Sequence, residues 1–326
     1  MRFEVSSHNN AGFSVITLTD KESHCQAEIY AMGGLLNAFR IPLADGSIRN
    51  VVDGFANEQA AIQQLTNGFR SAKLSPFVCR MFKGSYQLAG HNYTTQKWYL
   101  GEHAIHGLLY DAVFTVTDTF ASTEKAAVTL EYQYPGSDPG YPFPYTMLIN
   151  WQLTAGNRLT VTTTVFHHNT AAIPIADGWH PYFTLGTPVD DYTLQFDSDT
   201  QLEYNADLLP TGKKITDTRF RNGCSLAGVQ LDNSFELATD TAAAKCILQN
   251  GQLQLTIEPG KNYPILQVYI PAHRNSIAIE NLSGAPDNFN NGMGLIMLAP
   301  NEQKVFRTSY RISNIEQGMS NVEVEG

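Results

Sequence analysis

An almost entirely β chain is what this sequence predicts, and three observations carry the prediction. Apolar and polar residues alternate over many short stretches, the period-two signature of half-buried strands. Turn-forming pairs recur between those stretches, and a single window has the composition of a helix. An all-β chain of this length must stack or close its sheets to bury their faces, and the pattern alone admits either a sandwich or a barrel.

In chain order, Asp45-Gly46 is the first clear turn signal. The helical window follows over 57–66, where Glu58, Ala60, Ala61, Gln63, Gln64 and Leu65 are good helix formers and Gly68 supplies a stop. Pro135-Gly136, Asp138-Pro139-Gly140, Ala155-Gly156-Asn157, Thr211-Gly212 and Asn250-Gly251 mark further turns. Between them, Leu159, Val161 and Val165 alternate with a threonine run, Leu253 to Glu258 alternates strictly, and Ile265 to Ile270 reads as another strand. The run Ile277-Ala278-Ile279-Glu280 puts the two isoleucines on one face and Ala278 with Glu280 on the other, with Glu280 closing the alternation.

With 43% hydrophobic and 16% charged residues, the 326-residue chain has ample material for a core, and 25 glycines with 15 prolines are too few for a disordered or fibrous protein. No repeat of fixed period and no compositional linker divides it, so one domain over 1–326 is expected. The net charge of -10, with no Lys or Arg stripe, argues against nucleic-acid binding. No window approaches the roughly 20 consecutive apolar residues that span a bilayer, and Met1 to His8 lacks the apolar stretch of a secretory signal. Cys25, Cys79, Cys224 and Cys246 lie far apart with no Cys-x-x-Cys pair, which suits reduced thiols and a cytoplasmic location.

Three islands carry the chemistry: Ile105-His106-Gly107, Gly178-Trp179-His180-Pro181-Tyr182-Phe183, and Ile277-Ala278-Ile279-Glu280-Asn281. Pro181 holds His180 extended and removes a ladder donor, which places His180 at a strand end or edge. His103 precedes His106 by three positions, and on an extended segment the two face opposite ways, a poor metal pair. His167 and His168, adjacent, also face opposite ways and are read as structural or exposed. No phosphate-cradling glycine loop, nucleophile elbow or dinucleotide fingerprint is present, so phosphoryl and hydride transfer have no support.

Together the islands resemble the active site of the aldose 1-epimerase (galactose mutarotase) family, and the resemblance runs from Gly33-Gly34 to Leu298-Ala299-Pro300-Asn301-Glu302. It implies a large β-sandwich, a supersandwich of the galactose mutarotase type with one or two short helices. It also implies interconversion of the α and β anomers of a hexose such as galactose or glucose, with no cofactor and no metal. A base removes the proton of the anomeric hydroxyl while an acid protonates the ring oxygen, and ring closure reverses both transfers. The resemblance makes Glu280 the base and His180 the acid. Carried over in the same way, His106 is a second sugar-binding histidine, Arg80 in Cys79-Arg80-Met81 a guanidinium that can fork onto two hydroxyls, and Asp232 in Leu231-Asp232-Asn233 a hydroxyl acceptor.

Two departures from the family pattern stand out. Cys79 replaces a common Asn, and Leu108 replaces a common second Gly, where a bulkier side chain is expected to narrow the pocket mouth. Trp179, Tyr182 and Phe289 are candidate platforms for the C–H face of a pyranose. The implied partner is a small-molecule sugar, bound by a monomer or homodimer. A hexose-6-phosphate epimerase is the alternative within this chemistry and would need Arg40, Arg49, Arg70 or Arg274 at the rim; a non-catalytic sugar-binding protein on the same fold is the alternative outside it.

Overall fold

A computed structural model of the chain describes residues 1–238 and 245–315. Nearly every element is a strand, in antiparallel sheets. A five-stranded meander runs from Phe3–Asn10 to Ile48–Asn50. A nine-stranded sheet contains the long hairpin Tyr145–Thr154 and Arg158–Phe166, whose turn uses the left-handed pair Gly156 and Asn157, and the strand Gln303–Asn314 beside it. An eight-stranded sheet packs on this one through Trp179 against Trp151 and Phe183 against Tyr310. The sheets share one hydrophobic core, which resolves the choice between sandwich and barrel in favour of the sandwich.

The helical window folds as the helix Glu58–Gln64, capped by the Asn57 side chain, which accepts from the Ala60 amide at 2.9 Å. A second short helix, Asn288–Asn291, follows the Glu280 strand. Thr211-Gly212 is a correction: both residues lie within the strand Pro210–Thr216, and Gly212 is accommodated there at a φ of +85°. The other turn signals named above lie between strands or at their ends.

The eight-stranded sheet positions the site. Its order is Pro210–Thr216, Thr200–Tyr204, Asp232–Glu236, Ile265–Tyr269, Ile277–Leu282, Gly178–His180 and Ala72–Leu74, with Tyr182–Phe183 also paired to Ile277–Leu282. Ile277–Leu282 is thus a central strand, buried at all six positions. Glu280 does not close it: the strand continues through Asn281 and Leu282, because Ile265–Tyr269 supplies a full ladder as far as Leu282. Ile277 and Ile279 face the core, where full burial contributes about 1.5–3 kcal/mol each.

Candidate active site

Strand register, not loop geometry, assembles the centre of the site. Gly178 is registered on Leu282 and Tyr182 on Ala278, so His180, midway between them, stands opposite Glu280. On the other side of the same strand, Gln267 is registered on Glu280 and Ser234 on Gln267. One cross-strand row therefore reads Ser234, Gln267, Glu280, His180. The next row reads Asp232, Tyr269, Ala278, Tyr182. Period two puts both rows on one face of the sheet, and the small Ala278 leaves room between two tyrosines.

His180 Nε2 lies 3.4 Å from Glu280 Oε1, both side chains almost wholly buried. The His180 ring stacks on Tyr182 at 5.0 Å and meets the His106 ring edge-on at 4.9 Å. His106 comes from outside the sheet. The strand His103–Ile105 pairs with Arg80–Met81 and delivers His106 into a left-handed turn, at a φ of +64°, held by its amide donating to the Cys79 carbonyl at 2.8 Å. Gly107 continues the turn at +75°, and a Cβ there would sit 2.3 Å from the Ser75 carbonyl oxygen, so only glycine fits. The same Arg80–Met81 strand brings Arg80 to the cavity, its guanidinium hydrogen-bonded to no described side chain.

A cavity of about 370 Å³ opens over this constellation, lined by Arg80, His106, His180, Asp232 and Glu280 together with Gln267. All five residues expected from the sequence meet here. Asp232 accepts from Gln267 Nε2 at 2.8 Å, while Gln267 Oε1 accepts from Ser234 Oγ and from the Tyr204 hydroxyl. Cys79 Sγ lies 3.9 Å from Glu280 Oε2.

The expectations at the periphery need correction. Of the three candidate platforms only Tyr182 lines the cavity; Trp179 is core against Trp151, and Phe289 packs in an aromatic cluster with Phe77 and Tyr86. Phe69, Trp98, Tyr204 and Tyr269 are the other cavity aromatics. Leu108 does not narrow the mouth: it is buried behind the wall, its amide held by the Ser75 carbonyl. Arg40, Arg70 and Arg274 are committed to Glu28, Asp53 and Asp190, and none of the four arginines named for a phosphate rim lines the cavity. His167 is structural, bonded to the Leu298 carbonyl, and His168 bonds Asn301.

Sequence reasoning missed Gln267, Tyr269 and Tyr204. The first two were within reach, since Gln267 and Tyr269 share a face in the alternation Ile265-Leu266-Gln267-Val268-Tyr269. Nothing local marks Tyr204.

Burial dominates the electrostatics. It pulls His180 down to about 4 and pushes Glu280 well above the ordinary carboxylate range, with the nearby Asp232 charge raising Glu280 further. Burial also raises Asp232, against the pull of Arg80 and the Gln267 hydrogen bond, and lowers His106, assisted by His180 and Arg80. Burial thus disfavours the charged form of each partner and favours a neutral His180 beside a protonated Glu280. An imidazole and a carboxyl sharing one proton across a cavity wide enough for a small polar ligand is an arrangement for moving protons.

Comparison with known proteins gives the family. Residues 14–311 match the family described as aldose 1-epimerase, and the chain belongs to that family. It is 26% identical over 260 residues to an aldose 1-epimerase of Streptococcus thermophilus, covering 74% of this chain and 68% of that protein. It is 28% identical over 235 residues to the uncharacterized protein YihR of Escherichia coli K12, covering 69% of this chain and 73% of that one. In fold it is similar to a galactose mutarotase-like protein of Clostridium acetobutylicum, with a TM-score of 0.83 at 16% identity, covering 96% of this chain and 99% of the other. A galactose 1-epimerase of Lactobacillus acidophilus gives a TM-score of 0.81 at 17% identity with the same coverage.

Proposed function

We propose that this chain is an aldose 1-epimerase acting on a free hexose such as galactose or glucose, with Glu280 as base and His180 as acid. The observation that carries the reading is the convergence of His106, His180 and Glu280, distant in sequence, on one cavity, with the His180–Glu280 pair 3.4 Å apart. Glu280 takes the proton of the anomeric hydroxyl as His180 gives one to the ring oxygen, and the C1–O5 bond breaks to leave the open-chain aldehyde. Rotation about C1–C2 presents the other carbonyl face. The C5 hydroxyl adds to it, returning its proton to His180, while Glu280 reprotonates the new anomeric oxygen. Nothing is consumed, and both side chains end as they began.

Burial alone favours the neutral pair, so the sugar must draw the proton from Glu280 to His180. It can do so because an anomeric hydroxyl donating to Glu280 stabilises the carboxylate, and a ring oxygen accepting from His180 stabilises the imidazolium. Arg80 and Asp232 are suited to hold adjacent sugar hydroxyls, His106 to support the ring-oxygen side, and Tyr182 to face the apolar side of the ring. The cations tied up at Glu28, Asp53 and Asp190 favour a neutral sugar over a phosphorylated one. Polarimetry tests the proposal: fresh α-galactose or α-glucose should reach its equilibrium rotation faster with the protein, and calorimetric sugar binding with no acceleration would favour the non-catalytic alternative.

A further inference from the structure

A second buried acid and base pair stands directly behind the site. Lys73 and Asp177 are both fully buried, and Lys73 Nζ lies 2.6 Å from both carboxylate oxygens, with hydrogen-bond geometry only to Oδ2. Oδ2 also accepts from the Tyr263 hydroxyl at 2.5 Å; Lys73 reaches Thr163 Oγ1 at 3.2 Å and sits 4.2 Å over the Trp179 ring. Burial pulls the Lys73 ammonium down to about 8 and pushes the Asp177 carboxyl up, each against its partner's attraction. Neither group reaches the cavity.

The backbone of Asp177 explains what this pair is placed to do. The Asp177 amide donates to Ser283 Oγ at 2.8 Å, and its carbonyl accepts from the Ser283 amide at 2.9 Å. Asp177 lies three residues before His180, and Ser283 three after Glu280, so this clasp closes the ladder in which the two face each other. Pro181 cannot donate to that ladder, which leaves His180 without the ordinary continuous strand to align it. On its other edge, His180 is tied by the Ser71 amide donating to its carbonyl at 2.8 Å, and Trp179 is registered on Lys73. The ion pair thus joins the strand Ala72–Leu74 to the residue that clasps His180's strand to Glu280's.

We propose that Lys73, Asp177, Tyr263 and Ser283 form a positioning cluster that fixes the register and reach of His180 against Glu280. The cluster touches no substrate; it acts through those two side chains, and the proposal rests on the function proposed above. The titratable and charged groups facing the His180–Glu280 pair are His106, Cys79, Arg80, Asp232, Tyr182, Tyr204 and Tyr269, and the cluster lies on the opposite face of the sheet from all of them.

Ser283→Ala and Tyr263→Phe each delete one oxygen of the cluster, and Thr160→Val, which deletes a buried hydroxyl paired with Ser309 in the other sheet, serves as control. Two readouts apply: kcat and KM by polarimetry, and the titration of the His180 imidazole by NMR, identified by its loss in His180→Asn. The expected result is a kcat lowered about tenfold in both cluster variants with KM nearly unchanged, since a 1 Å misplacement can cost on the order of 100-fold. His180 should also titrate away from its value of about 4 in both, and neither quantity should move in Thr160→Val. Unchanged His180 titration in folded Ser283→Ala and Tyr263→Phe overturns the cluster, as does an equal shift in the control. The NMR readout needs no turnover, so a wild-type protein without epimerase activity would sink the proposed function while leaving the cluster to be decided.

Discussion

Two buried acid and base pairs occupy neighbouring strands of one sheet and do opposite things with the same physics. Lys73–Asp177, on the core face, is enclosed by Tyr263 and Thr163 at 2.5–3.2 Å, with Asp177 Oδ1 alone left without a hydrogen bond among the described residues. His180–Glu280, on the cavity face, is held at a looser 3.4 Å, and the Nδ1 atoms of both His180 and His106 have no hydrogen-bond partner among the described residues. Buried polar groups left unmatched are costly unless something else satisfies them. Each pair is buried and each leaves an atom unmatched, so the difference teaches that neither property marks a site; a cavity opening over the pair does.

That contrast can be broken most forcefully by removing the cavity carboxylate. Glu280→Gln should lower the anomerisation rate by about 10²–10⁴-fold, the range for a lost general base, measured by polarimetry. Circular dichroism should show a fold of unchanged or higher stability, because a costly buried acid has been replaced by a neutral isostere. Asp177→Ala should behave in reverse: it strands the Lys73 ammonium in the core and should cost about 3–5 kcal/mol of stability, read from the shift in denaturant midpoint. A smaller effect sharpens the same comparison at a solvated element. Asn57→Ala removes the helix cap and should cost about 1 kcal/mol with no change in kcat.

The sequence made the cavity side far more legible than the core side. His180 and Glu280 were readable through the family resemblance, which six consecutive residues, Gly178 to Phe183, carry for His180, while the alternation Ile277 to Glu280 gave only the face on which Glu280 lies. What local pattern could not reveal is pairing across distance. Lys73 and Asp177 are 104 positions apart, and Tyr204 reaches Gln267 over 63. The same limit explains the platforms: Trp179 and Tyr182 belong to one motif, yet period two sends one to the core and the other to the cavity. Thr211-Gly212 misled because a glycine at positive φ also fits within an exposed strand. The β-sandwich itself followed from the resemblance, since alternation specifies half-buried strands without saying whether their sheets stack or close.

The most direct test of the account is the pH dependence of kcat/KM for anomer interconversion by the wild-type protein. Proton transfer to and from the sugar requires one proton on the His180–Glu280 pair. A second proton enters as the pH falls through about 4, where His180 titrates, and the last leaves as it rises past the elevated Glu280 value. The rate should therefore follow a bell: loss below about 4, and a second loss at a pH above the ordinary carboxylate range. A rate that is flat across this span, or that survives in Glu280→Gln with the same profile, would contradict it.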